Sequence, residues 1–125
     1  MLKPKVLKEL NLQFNFELYS SYLYLAMSAY FSNKTLNGFA NWMRVQAEEE
    51  MFHAMKIYDY IIERVGEVVC GKIDKPEGKW KEIIDVFEQT YEHEQFVTSR
   101  INLVTDVAIK EKDHATTAFL QWFIN

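Results

Sequence analysis

Glu48-Glu49-Glu50-Met51-Phe52-His53 is the stretch of this chain best equipped for chemistry. Residues i and i+3 share one face of a helix, so Glu50 and His53 can close on a single cation. Carboxylate and imidazole at this spacing recur in helical bundles that hold two metal ions between their helices. Taken alone the pair is weak, because such pairs also occur on solvated faces. Other helices must bring further ligands to the same level for a metal site to form.

The composition allows long helices. The chain has 125 residues with 49% hydrophobic, only two prolines and four glycines, which fits one domain over residues 1–125. A net charge of −4 gives no reason to expect a nucleic acid partner. Cys70 is the single cysteine, so no disulfide can form within the chain, which suits the reducing, cytoplasmic setting expected here. No charged-then-apolar leader opens the chain, and no apolar run is long enough to span a bilayer.

Four helices are predicted. The first runs from about Pro4 to Phe31, and its apolar stripe of Leu10, Phe14, Tyr24 and Phe31 is interrupted by Glu17. Val6, Leu18, Tyr22, Leu25 and Ala29 broaden that surface into a second buried face. The second helix, Gly38 to Val65 with Asn37 as N-cap, carries Phe39, Met43, Gln46, Glu50, His53, Ile57, Tyr60 and Arg64 on one stripe. The third, Lys81 to Ile109, carries Phe87, Tyr91, Glu94, Val97 and Ile101. Asp113 then caps a fourth that opens with Ala115, and whose pattern is still running at Asn125. The connection Gly66 to Trp80 can reach about 50 Å when extended, against about 42 Å for a 28-residue helix. It can therefore cross the whole bundle and set the second and third helices parallel, the arrangement preferred over a mobile loop between antiparallel neighbours.

Heights decide whether the carboxylates meet. At 1.5 Å per residue, Glu17, Glu50, His53 and Glu94 all fall about 18–24 Å along their helices, each on an apolar stripe. Three unpaired carboxylates buried at one level would repel and carry a desolvation cost of several kcal/mol each. A metal relieves this most simply. One histidine among carboxylates is a hard, oxygen-rich set suited to iron or manganese; zinc more often comes with more histidine or cysteine. In the di-iron arrangement Glu50 bridges, with Glu17 and His53 on one metal and Glu94 on the other. His93 and His114 read as surface or capping residues, and Trp122 as core.

Glu17-Leu18-Tyr19-Ser20-Ser21, Tyr24, Glu49-Glu50-Met51-x-His53, Tyr91-x-His93-Glu94 and Phe119-Leu120-Gln121-Trp122 together resemble the bacterial and archaeal non-haem ferritins over the whole chain. The resemblance implies an all-α, ferritin-like antiparallel four-helix bundle with a long crossover between helices two and three. It implies an iron-storage ferroxidase that oxidises Fe(II) with O2 or peroxide and deposits ferric mineral in a shell, usually of twenty-four subunits. By resemblance Glu17, Glu50 and His53 hold the first iron, Glu50 and Glu94 the second, and Glu49 belongs to a further third site. Tyr24 matches a tyrosine beside the centre, with a redox role implied, and Trp122 a nearby aromatic. Family members continue helix four with further glutamates and add a fifth helix, so the fourth helix is expected to be incomplete here. Met51 matches the neighbourhood of a haem ligand in bacterioferritins, but haem is not expected. The alternatives are a bacterioferritin or rubrerythrin-like di-iron protein, or a catalytically impaired shell subunit.

Overall fold

A computed structural model describes residues 1–124. It contains α1 (Pro4–Asn33), α2 (Asn37–Glu63), α3 (Ile83–Lys110) and α4 (His114–Ile124), and no strand among the described residues. Pro4 opens α1 in the first turn, where its missing N–H costs nothing. No described helix is long and apolar enough to cross a membrane.

Contacts between the helices fix their directions. Ser28 and Ser21 of α1 donate to the carbonyls of Ala40 and Ala47 of α2. As α1 descends in number α2 ascends, so the two are antiparallel. Thr90, His93 and Arg100 of α3 meet Met27, Ser20 and Glu9 of α1 in the same reversed order. Helices α2 and α3 are therefore parallel, and the crossover reading holds.

The crossover is stapled to α1 by two asparagines that no sequence motif marked. Asn11 donates to the Glu67 carbonyl and accepts from Val69 N–H; Asn15 donates to the Val69 carbonyl and accepts from Gly71 N–H. Side chains at i and i+4 share a helix face, and alternate residues of an extended strand present the same edge. The two repeats match over this short run. Higher up, Trp80 packs edge-on against Tyr30, which brings the chain to the level where α3 begins.

Two clusters divide the core. Val6, Leu10, Phe14, Ile57, Ile61, Val104 and Leu120 fill one end, and Leu23, Tyr24, Met27, Phe31, Met43 and Val86 fill the other. The α1 stripe is as expected. The broadened face holds only in part: Val6 is buried and Leu18 packs against the core, but Tyr22 is 52% exposed and Leu25 48%. On α2 the buried row is Ala40, Met43, Ala47, Glu50, Ala54, Ile57 and Ile61. Phe39 is therefore exposed, and His53 sits at the row's edge. Small alanines on the buried side let α1 and α2 approach closely, which leaves the larger side chains on the flanks.

The helix ends show further corrections. Asn37 is the first helical residue of α2; Leu36 occupies the cap and makes no side-chain cap bond. Helices α1, α2 and α3 are each followed by a non-glycine residue in the left-handed region: Thr35, Val65 and Lys112. The next N–H closes back on the helix in each case, Leu36 to Phe31, Gly66 to Ile61 and Asp113 to Ala108. Gly66 is needed for space rather than for its φ. A Cβ there would stand 2.9 Å from both Ile61 and Leu7.

Asp113 caps α4 as expected. Its carboxylate accepts from the Thr116 N–H at 3.0 Å and the Thr116 hydroxyl at 2.7 Å. Burial works to raise its pKa, but these bonds and the Arg64 guanidinium outweigh burial and hold the carboxyl below its ordinary value. Asp113→Ala is expected to cost about 1–2 kcal/mol, read as a lower urea midpoint at unchanged slope. An unchanged midpoint would show the cap to be idle.

Candidate metal centre

The α1 and α2 stripes bring Glu17 and Glu50 into contact at the boundary between the two core clusters. Glu17 is 1% exposed and Glu50 5%. His53, one turn beyond Glu50, turns Nδ1 toward both, 3.7 Å from Glu17 Oε2 and 3.4 Å from Glu50 Oε2. One ligand atom from each residue lies within 4.8 Å of the others, close enough for one ion to touch all three. Neither Oε2 forms a hydrogen bond. Buried carboxylate oxygens without partners are costly, and here two converge beside an imidazole. The donor set suits a hard or borderline divalent cation.

Each group in the centre departs from its ordinary titration. Burial would raise Glu17, but its contacts with His53, Glu50 and Gln13 outweigh burial and lower its pKa. Glu50 is pushed up to about 8, chiefly by burial, with Glu17 adding to the effect against the pull of His53. The two carboxylates raise His53 to about 10 against its own partial burial. Two acids side by side cannot both ionise cheaply, and the imidazolium between them takes up one charge.

A cavity of about 180 Å³ opens from this group, lined by Glu17, Glu50, His53, Glu94, Val97, Thr98, Ile101, Asn102, Phe123 and Ile124. Glu94 thus faces the site, but it stands outside the three-residue group. It was expected on a buried stripe and is instead exposed. The reason lies in α3: its buried residues are Val86 and then Ile101, Val104, Thr105 and Ala108. The middle of the helix, including Tyr91 at 67% exposure, has little covering it among the described residues. Glu94 Oε1 accepts a hydrogen bond from the hydroxyl of Tyr24, a side chain with no exposure. Burial, then Glu94, raises the Tyr24 pKa, so the phenol remains a donor. Glu49 is exposed and does not line the cavity.

Two surrounding residues differ from expectation, and a third had none. His93 is neither a surface nor a capping residue. Its Nε2 pairs with the Ser20 hydroxyl at 2.7 Å, its ring packs on Tyr19 and Tyr24, and burial lowers its pKa. Trp122 is not core: it is 45% exposed, lies edge-on to His53 with centroids 5.3 Å apart and carries Lys56 over its ring at 4.5 Å. Gln13, which no motif marked, is fully buried and donates to Glu17 Oε1 at 2.9 Å. Its spacing of four from Glu17 was the only available signal.

Comparison with known proteins agrees with this architecture. A family model described as a ferritin-like domain matches residues 7–125. The bacterial non-heme ferritin of Campylobacter jejuni is 40% identical over all of this chain and 75% of its own length. That of Bacteroides fragilis is 42% identical over 99% of this chain and 78% of its own. An open pore ferritin from the archaeon Archaeoglobus fulgidus superposes with a TM-score of 0.96 at 46% identity, over 98% of this chain and 75% of that one. With the family model spanning nearly all of the sequence and these relatives matching it end to end, the chain belongs to the ferritin family.

Proposed function

We propose that this protein is a cytoplasmic iron-storage ferritin, a single ferritin-like domain that oxidises Fe(II) at the Glu17–Glu50–His53 centre and passes ferric product to a mineral inside a shell. The observation that carries the reading is the pair of buried, unbonded carboxylate oxygens facing one imidazole. The relatives' names, bacterial non-heme ferritin, agree with it. Glu17 and His53 hold the first Fe(II), and Glu50 bridges toward a second held with Glu94. Tyr24 fixes Glu94 through its hydroxyl. Glu49, exposed one residue before the bridge, serves a further outlying position. Each of two Fe(II) would give up one electron, and the two electrons with two protons would reduce O2 to hydrogen peroxide, or hydrogen peroxide to two waters. Self-association has support in exposed apolar side chains on α1 and α2, among them Tyr22, Leu25 and Trp42.

Adding Fe(II) in air tests the proposal, with ferric absorbance, O2 consumption and light scattering followed together. A saturable fast phase, a particle of shell size and iron co-eluting with protein are expected. Oxidation no faster than in buffer alone would sink the enzymatic reading.

A further inference from the structure

The two oxygens of Glu17 have different fates. Oε1 accepts from Gln13 Nε2 at 2.9 Å. Oε2 has no hydrogen-bond partner and faces His53 Nδ1 at 3.7 Å. One oxygen is committed to the protein and the other is left for something else.

Gln13 itself is oddly placed. It is fully buried, and its own Oε1 has no hydrogen-bond partner. Burying an amide is unfavourable unless its polar atoms are satisfied, and an unpaired buried acceptor adds to that. A methionine would fill much the same volume without either cost. Packing therefore does not account for a glutamine here, whereas its one donated bond does.

We propose that Gln13 is a positioning residue that makes Glu17 a one-oxygen ligand, holding Oε1 so that Oε2 alone meets the bound cation. This rests on the metal-binding reading above and deepens it. A glutamate side chain has several rotatable bonds, and ordering them weakens binding. A hydrogen bond from the preceding turn of the same helix settles that orientation before the metal arrives. Partners of this kind orient ligands in metal sites and typically change affinity 10–100-fold.

The test compares wild type with Gln13→Met and Gln13→Asn, each titrated with Co(II) without oxygen and followed by visible absorption and heat. Met keeps the volume and removes the donor. Asn keeps the amide but holds it one methylene short. Both are expected to weaken the tight Co(II) site by roughly 10–100-fold, with a changed absorption band as Glu17 becomes free to offer both oxygens. Thermal unfolding of the metal-free proteins reports the packing role separately. A folded variant that loses thermal stability yet binds Co(II) as tightly as wild type, with the same spectrum, would overturn the assignment and leave the metal site standing. Failure of wild type itself to bind Co(II) would remove the metal reading and this inference together.

Discussion

Replacing Glu50 with alanine is expected to slow Fe(II) oxidation in air by on the order of a hundredfold or more, since losing a ligand should exceed the 10–100-fold cost of losing only a ligand's partner. His53→Ala should act similarly. Glu50 lies against Glu17 and His53 on one side and lines the cavity that reaches Glu94 on the other. Glu17 shares that placement but has one oxygen committed to Gln13. The stability readout runs the opposite way. Burial and Glu17 hold the metal-free Glu50 well above its ordinary pKa, so its ionised form is a burden on the empty fold. Metal-free Glu50→Ala should therefore unfold no more easily near pH 8 than wild type, apart from a modest cavity term. Glu50→Ala combined with His53→Ala should be little worse than either alone, because groups acting as a unit are not additive. A folded Glu50→Ala protein that oxidises Fe(II) at the wild-type rate would remove this residue from the reaction.

Much of the frame behind that prediction was legible in the residues. Long runs without breakers were enough for four helices, and the carboxylates Glu17, Glu50 and Glu94 on the stripes of the first three were enough for a common height. The length of the connection allowed the crossover, and the reversed order of the α1–α3 contacts bears it out. What escaped the sequence depends on packing. The burial of α2 is set by where Ala40, Ala47 and Ala54 let α1 approach: Met43, Glu50 and Ile57 stay in the buried row, while Ala40, Ala47, Ala54 and Ile61 take the places expected for Phe39, Gln46, His53 and Tyr60. The exposure of Glu94 depends on what covers the middle of α3, and periodicity along one helix carries no information about its neighbours. Gln13, Asn11 and Asn15 are polar residues whose purpose lies across a turn or a crossover, so composition alone could not separate them from solvated ones. The left-handed Val65 could not be foreseen either, because Gly66 beside it is the residue that helix-ending rules favour.

Metal affinity is expected to rise steeply with pH, by about a hundredfold per unit between pH 6 and 7.5, because about two protons must leave for one divalent ion to bind. Below about 8 Glu50 is protonated, and below about 10 so is His53; Glu17 is already ionised, its pKa lying below the ordinary value. Above about 8 Glu50 has lost its proton unaided, and the slope should halve. It should vanish beyond about 10, when His53 is neutral as well. The sign for metal-free stability follows from the same shifts. His53, raised from 6.5, contributes stability fully present below 6.5 and lost as pH climbs through about 10. Glu50, raised from 4.5, favours the fold below 4.5 and loses that contribution as pH climbs through about 8. The empty protein should therefore be less stable at pH 9 than at pH 6, while the loaded protein should show the reverse. Co(II) calorimetry at pH 6.5 in buffers of different ionisation heat counts the protons directly, and a count near zero would refute this account. The expected count also explains how three ionisable groups share one buried place. Empty at neutral pH, an ionised Glu17, a neutral Glu50 and a charged His53 sum to no net charge. Loaded, two carboxylates and a neutral imidazole balance one divalent cation, so burial is tolerated in both states.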